Sequence, residues 1–186
     1  MSIYMKGLRI GLRLVDVADA NILCRWFNDS EITAFLPKQL PTTQTKEEEW
    51  IRKTLDSETD YVFCIVDLEL NTSIGIACLH RIDWMQRTVH SVTVLGEKEY
   101  WGKGYATEAK QLIHTFAFAQ LDLYAIQARI SSENQKSLTH SIRNGYIEVG
   151  RISNWIRKTD DTRCDEVLLL FTKDMWHKSN QQKDLG

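Results

Sequence analysis

Residues 97–109 read Glu-Lys-Glu-Tyr-Trp-Gly-Lys-Gly-Tyr-Ala-Thr-Glu-Ala, and this stretch decides the fold. The β-branched run Val92-Thr93-Val94-Leu95 precedes it, and an amphipathic helical pattern follows it. Gly102 and Gly104 can adopt positive φ, and the first amides of the helix, from Lys103 to Thr107, lack intrahelical acceptors. A strand, a glycine turn and a helix start therefore predict a cradle for a phosphate or pyrophosphate.

Two other phosphate-binding loops fail on spacing. The nucleoside-triphosphate loop needs four residues between its first glycine and Gly-Lys-Ser/Thr, but Gly96 lies one residue too far from Gly102, and Gly104 follows Lys103. A dinucleotide fingerprint needs a third glycine three residues after Gly104, where Thr107 stands. From the glycines alone, a tight connection that binds nothing is as good an interpretation as an anion site.

Length and composition favour one globular domain. The chain has 186 residues, of which 43% are hydrophobic, so we expect a single domain over 1–186 with a core at 8–176 and a polar C-terminal tail. A net charge of −2 without a dense Lys/Arg run argues against a nucleic-acid or membrane partner. No signal-peptide core or long apolar stretch is present, so we expect a cytoplasmic protein.

The cysteines indicate neither disulfides nor a metal. Cys24, Cys64, Cys78 and Cys164 are scattered and form no Cys-x-x-Cys pair. Reduced, mostly buried thiols are the expected state, and we expect no metal site.

Hydrophobic periodicity predicts a mixed sheet of about seven strands with helices on both sides, an α+β or α/β domain. Strands are predicted over 8–14, 61–67, 73–83, 88–95, 124–131, 146–155 and 166–172. Helices are predicted around 20–27, after a capping box formed by Thr45 and Glu48, and over 106–121 and 134–144. Pro37 and Pro41 bracket a polar loop, and the tail after Trp176 is expected to fray.

This order of elements resembles the GNAT acetyltransferases, and within them the branch that holds ribosomal-protein N-terminal and polyamine acetyltransferases. The motifs are residues 99–109 and, downstream, Asn134-x-x-Ser137 through Gly145-Tyr146. The family's acyl-CoA loop reads Gln/Arg-x-x-Gly-x-Gly/Ala, whose glycines residues 99–104 match, although Glu99 replaces the Gln or Arg. The resemblance covers about 8–176 and implies a GNAT-like acyl-CoA N-acyltransferase fold.

The resemblance implies acetyl-CoA as co-substrate. Pantetheine would run along Thr93–Leu95, and an amide near Val94 would bond the thioester oxygen. The implied cofactor-binding residues are Thr93, Val94, Leu95, Trp101, Gly102, Lys103, Gly104, Tyr105, Ala106, Thr107 and Asn134. For Asn134, capping the following helix is a sufficient alternative role.

The resemblance also implies two catalytic positions. His90 occupies the place of the family's frequent glutamate base, and an imidazole with a pKa of about 6.5 can accept a proton at neutral pH. A hydrogen-bonded or surface strand histidine, with deprotonation through water, is the alternative. Ser141 stands where the family's general-acid tyrosine falls; it could protonate the thiolate or bond the cofactor sulfur, and a helix serine that faces solvent is the alternative.

The acceptor stays open among a peptide or protein N-terminus, a polyamine, an aminoglycoside and an amino-sugar. The segments that select the acceptor in the resembled fold here supply Trp26, Asp29, Glu31, Phe35 and residues 155–163, and carboxylates beside aromatics suit a cationic amine. A CoA-binding sensor without turnover and a non-CoA phosphate binder are alternative functions. Sheet edges also make a homodimer an expectation.

Overall fold

The computed structural model describes residues 2–36, 40–158 and 160–183. Their contacts divide the chain into two compact units, residues 1–81 with 92–113 and residues 82–91 with 114–186. Strands and helices mix in both units, which confirms the predicted α/β class. Single-domain organisation over 1–186 stays a prediction.

The first unit is built on antiparallel strands. It contains β1 (Met5–Lys6), β2 (Ile10–Leu14), β3 (Tyr61–Asp67), most of β4 (Thr72–Asp83) and the end of β5 (Thr88–Leu95). These strands are neighbours in chain order, with antiparallel pairs from β1 to β4 such as Leu12 with Ile65. Its helices are α1 (Ala20–Phe27), α2 (Ser30–Thr33), α3 (Gln44–Leu55) and most of α4 (Tyr105–Thr115).

The core of the first unit forms where α1 and α3 cover β3 and β4. Leu23 and Trp26 lie three residues apart on one face of α1 and are buried, as is Ile51 of α3. They join one cluster with side chains of the two strands, and Val94 of β5 packs against it. The segment that precedes the glycine turn is therefore fixed by the core.

The second unit orders its strands β5-β6-β8-β7. It contains the start of β5, β6 (Ala125–Ser131), β7 (Ile147–Arg157), β8 (Arg163–Thr172), α5 (Gln135–Arg143) and α6 (Lys173–Lys183), with a π-helical segment over Phe116–Gln120. β5 pairs parallel with β6, placing His90 opposite Gln127, whereas β8 pairs antiparallel with β6 and with β7. The buried rings of Phe118, Tyr146 and Phe171 pack inside it.

Several element ends differ from the predictions. The capping box at Thr45 is wrong: α3 begins two residues earlier, and Thr43 is the N-cap because its hydroxyl accepts from the Lys46 amide at 3.3 Å. The C-terminal tail was expected to fray, but its backbone is helical as α6 to Lys183. The short β1 was missed, and residues 37–39 of the predicted proline loop lie outside the described residues.

Gly96 should be intolerant of any side chain. A Cβ there would lie 2.1 Å from Cδ2 of the buried Trp26 indole, so Gly96→Ala should lower the free energy of unfolding by about 3 kcal/mol, the upper end for overpacking. Gly150→Ala is the matched control, because its Cβ would meet Leu168 at 3.9 Å, an ordinary contact. Urea unfolding curves measure the stability of both variants. Equal midpoints would contradict the prediction, because they would mean that the Trp26 side chain moves aside without cost.

Candidate functional site

The glycine turn has the left-handed backbone that an anion cradle requires. Gly102 and Gly104 have φ of +72° and +86°, in the left-handed region, and α4 starts at the next residue. A Cβ at Gly102 would meet no atom within 4 Å, so the space above the turn is open. The exposed turn therefore presents the first amides of α4 to a ligand.

Aromatic side chains hold both ends of the turn. The indole Nε1 of Trp101 donates to the Leu95 carbonyl at 3.0 Å, which folds the turn back on the end of β5. The rings of Tyr100 and Tyr105 meet edge-to-face with centroids 4.8 Å apart. The conformation is thus set by side chains on either side of the two glycines.

Arg9, on the segment that leads into β2, adds a positive charge beside the turn. Its Nη1 donates to the Lys103 carbonyl at 3.0 Å, and its guanidinium lies 4.2 Å from the centroid of the Tyr105 ring. A Cβ at Gly104 would lie 3.3 Å from Arg9 Nη2. The sequence prediction missed Arg9, because alternation along a strand does not show a contact 94 residues away.

Glu108 anchors that arginine. Its Oε1 accepts from the backbone amides of Arg9 at 2.8 Å and Ile10 at 3.2 Å, while its Oε2 accepts from Arg9 Nε at 3.1 Å. Burial alone would raise the pKa of Glu108, but the two amides and the guanidinium outweigh it and hold that pKa below its ordinary value. The first turn of α4 is also where a carboxylate suits the helix dipole.

The strand predicted to carry pantetheine is half-buried at Thr93, Val94 and Leu95. β4 lies against it closely: a Cβ on Gly75 would lie 2.3 Å from the Val94 carbonyl oxygen, and the Gly96 amide donates to the Ile74 carbonyl at 2.9 Å. The first unit therefore brings together the predicted residues from Thr93 to Thr107, with Tyr105, Ala106 and Thr107 half-buried at the start of α4.

The remaining predicted site residues lie in the second unit. His90 is half-buried on β5. Asn134 is the N-cap of α5, since its side-chain oxygen accepts from the Ser137 amide at 3.0 Å. Ser141 is fully buried, which excludes a solvent-facing serine. The catalytic roles of His90 and Ser141 stay predictions.

The predicted acceptor segments are only partly at the surface. Trp26 is 1% exposed, and its indole Nε1 donates to Glu97 at 3.0 Å. The prediction that Trp26 faces the acceptor is therefore wrong, because this side chain belongs to the core. The Lys98 ammonium pairs with Asp29 at 2.8 Å and Glu31 at 2.6 Å. Phe35 and Trp155 are both more than half exposed.

Comparison with known proteins decides the family. The sequence model described as "Acetyltransferase (GNAT) domain" matches residues 9–147, which include the whole glycine turn. This chain belongs to the GNAT acetyltransferases. It is therefore an enzyme of the N-acetyltransferase class.

Relatives of this GNAT chain agree with that assignment. The "Uncharacterized N-acetyltransferase p20" of Bacillus licheniformis is 29% identical over 133 residues, covering 70% of this chain and 74% of that protein. Spermidine N-acetyltransferase from Vibrio cholerae, in complex with CoA and spermine, superimposes with a TM-score of 0.84 at 18% identity, covering 90% of this chain and 98% of that one. A GNAT-family acetyltransferase from Bacillus anthracis gives 0.79 at 20%, covering 91% and 98%. Both structural likenesses show the fold.

The described residues bear on two questions, whether the protein holds a metal ion and whether a helix crosses a membrane. Across residues 2–36, 40–158 and 160–183, no group of three or more His, Cys, Asp or Glu side chains is placed to hold a metal ion. None of the helices in that part of the chain is long and apolar enough to cross a bilayer. The four cysteines are free thiols, three of them buried.

Glu108→Gln should destabilise the GNAT fold in a pH-dependent way. Glutamine cannot satisfy all three donors that Glu108 holds, and the Ile10 amide among them is part-buried, so the free energy of unfolding should fall by about 1 kcal/mol at neutral pH. The folded-state pKa of Glu108 lies below its ordinary value of 4.5, so its stabilisation is present above that value and is lost as the pH falls through the folded pKa. The difference between the proteins should shrink in that acidic window.

Urea unfolding at a series of pH values measures that difference. Glu48→Gln is the control, because Glu48 makes a surface contact with Arg52 at 3.5 Å and should change stability by well under about 1 kcal/mol. A gap between wild type and Glu108→Gln that stays constant from neutral to acidic pH would contradict the assignment.

Proposed function

We propose that this GNAT enzyme transfers the acetyl group of acetyl-CoA directly to a primary amine, without a covalent enzyme intermediate. The observation that carries the proposal is the open turn at Gly102 and Gly104, with the helix start behind it and Arg9 beside it. Its amides and its cation suit the pyrophosphate of an acyl-CoA. The positive φ at both positions explains why glycine is needed there.

The chain supplies further groups for the co-substrate. The backbone of Thr93–Leu95 would hold pantetheine, and an amide near Val94 would polarise the thioester carbonyl, where negative charge develops as the amine attacks. Asn134 is proposed to bond pantetheine; its side-chain oxygen already caps α5, which leaves its amide group for that bond. Glu99 places an exposed carboxylate near the turn, so the main-chain amides must provide most of the affinity.

The amine must lose a proton before it attacks, and we assign that step to His90, directly or through a water. Half-burial on β5 leaves part of the imidazole accessible. Ser141 is the sequence-derived candidate for the acid that serves the leaving thiolate. Because Ser141 is completely buried, it could act as the acid only if the sulfur of CoA reaches its hydroxyl inside the unit.

A cationic amine is the favoured acceptor. Asp29 and Glu31 already bind one primary ammonium, that of Lys98, and the Lys98 hydrogen bond, followed by the helix amides, holds the pKa of Asp29 below its ordinary value. Phe35 nearby in sequence is exposed and could stack on an alkyl amine. A polyamine fits this chemistry, as does a peptide N-terminus of the ribosomal-protein type; the neutral parts of amino-sugars fit it less well.

The setting of the reaction is also part of the proposal. A chain with this charge balance and reduced thiols fits the cytoplasm, where acetyl-CoA is made available. We further propose a homodimer formed through a sheet edge, because the edge strand β7 exposes Ile147, Val149 and Trp155.

The test of the function is thiol release from acetyl-CoA over a panel of polyamines, amino-sugars and peptides with free N-termini. Acetyl-CoA at a hundred times its Kd should stabilise the protein by about 2.7 kcal/mol and raise Tm by about 5–10 °C. Gly104→Val should abolish both signals, because a β-branched residue resists φ of +86° and would crowd Arg9.

Gly150→Val is the matched control and should keep both signals, because its Cβ has only one contact, at 3.9 Å. A thermal shift without thiol release on any amine would support a CoA-binding sensor instead. A shift with other nucleotides but not with acetyl-CoA would support a different phosphate ligand.

His90→Gln should separate the base from a merely structural histidine. If the imidazole accepts the amine proton, the acidic limb of kcat/KM should report a pKa of about 6–7, and the variant should lose that limb together with about 100-fold in kcat. The acetyl-CoA thermal shift should survive, because main-chain amides hold the co-substrate. His177→Gln, on the exposed face of α6, should change neither quantity. An unaltered pH profile in His90→Gln would leave deprotonation to water or to a carboxylate.

A further inference from the structure

Three polar side chains form a continuous hydrogen-bond chain inside the second unit. The hydroxyl oxygens of Ser91 and Tyr146 are 3.1 Å apart, and His114 Nε2 lies 3.0 Å from the same tyrosine oxygen. Tyr146 is 1% exposed and His114 3% exposed, whereas Ser91 is half-buried. The chain therefore begins deep in the unit and ends at a partly accessible hydroxyl on β5.

The surroundings of the chain keep Tyr146 a phenol. The Phe171 ring stacks on Tyr146 with centroids 5.3 Å apart and approaches His114 at 4.8 Å, and Phe118 lies 6.4 Å from His114. Burial raises the pKa of Tyr146, and the hydrogen bond with Ser91 offsets only part of that effect. Within this hydrogen-bond chain, His114 of α4 is the titratable neighbour of Tyr146. The rings that pack against them, Phe118 of the π-helical segment and Phe171 of β8, are apolar.

Ser91 lies on the strand proposed to carry pantetheine. Successive side chains of a strand alternate in direction, so Ser91 and Thr93 share one face of β5, and His90 faces the other. Two residues of a strand advance roughly 7 Å, so Ser91 is one side-chain step beyond the segment Thr93–Leu95, on the side away from the glycine turn. A pantetheine arm that starts at the glycine turn and runs along Thr93–Leu95 would bring its sulfur toward Ser91.

We propose that Ser91, supported by Tyr146 and His114, donates a hydrogen bond to the sulfur of CoA as it leaves. The proposal rests on the acetyl-CoA function above. As the amine nitrogen bonds to the carbonyl carbon, the C–S bond breaks and sulfur keeps the electron pair. Ser91 then donates to the thiolate, Tyr146 donates to Ser91, and His114 donates from Nε2 to Tyr146; the thiolate later takes its proton from solvent.

This assignment explains a departure from the family pattern. The family's acid position holds Ser141, whose side chain is fully buried in α5 and carries no phenol. The phenol at Tyr146 follows directly after α5, and its amide donates to the Ser141 carbonyl at 3.2 Å. The phenol of Tyr146 therefore supports Ser91 on β5, and Ser91 makes the hydrogen bond to sulfur that the family's tyrosine would make from position 141.

The test measures the thiol pKa of bound CoA by ultraviolet titration of the thiolate, a readout that needs no acceptor. Ser91→Ala should raise the pKa of the bound thiol by about 1, a tenfold loss of acidity, as expected for a hydrogen bond to a charged group. Tyr146→Phe should raise it less, in the same direction. Turnover with acetyl-CoA should fall about tenfold in Ser91→Ala, while KM for acetyl-CoA changes little.

Two variants control for loss of a hydroxyl elsewhere in the unit. Ser131→Ala removes a buried hydroxyl of β6 that lies 3.2 Å from the Cys164 sulfur of β8, and Tyr124→Phe alters a tyrosine that is 55% exposed; neither should move the thiol pKa. CoA binding with the same thiol pKa in wild type, Ser91→Ala and Tyr146→Phe would overturn the inference and leave the proposed function standing. A larger effect from Ser141→Ala than from Ser91→Ala would also overturn it. Failure of the wild-type protein to bind CoA would instead defeat the function itself.

Discussion

The open amides at the start of α4 depend on one half-buried carboxylate. Glu108 satisfies the amides of Arg9 and Ile10, and in doing so it holds the guanidinium that braces the Lys103 carbonyl. Without that brace, two left-handed glycines separated by one residue would sample many conformations, since glycine loses more entropy on ordering than other residues. The cradle is therefore specific because a distant strand, and not the turn itself, fixes its shape.

Ion pairs offset part of the acidic charge around the turn. Arg25 pairs with Glu97, which also accepts from the Trp26 indole, so that carboxylate is neutralised and directed into the unit. Lys98 is turned toward Asp29 and Glu31. The positive groups beside the glycines are the α4 amides, Arg9 and the exposed Lys103, and the exposed carboxylate of Glu99 opposes them. A net charge of −2 on the whole chain is therefore compatible with the pyrophosphate site proposed above.

Local patterns in the sequence were sufficient for most of the elements and for the glycine turn, although they missed β1 and the helix α6. The β5 strand, the hairpin between β3 and β4, and the positive φ of Gly145 after α5 all follow from residues a few positions apart. What the sequence could not show were contacts between residues far apart in the chain. Arg9 and Glu108 are 99 positions apart, and Ser91 and Tyr146 are 55 apart, so no periodicity links them. Trp26 was misplaced for the same reason, because its burial depends on Ile51 and on the strands of the core.

The two faces of β5 suggest why this GNAT chain can depart from the family at two catalytic positions. In the reaction we propose, amine deprotonation and thiolate departure would each use one side chain of β5, His90 and Ser91, which alternation along the strand places on opposite faces. A histidine in place of a glutamate keeps a proton acceptor near neutral pH. A serine in place of the tyrosine on α5 lets that helix bury position 141 fully, and the phenol then enters from Tyr146, where Phe171 and Phe118 exclude water. In a dry site, a hydrogen bond to developing negative charge is stronger than in water, so a neutral donor chain can replace a general acid when the leaving group is already a stable thiolate.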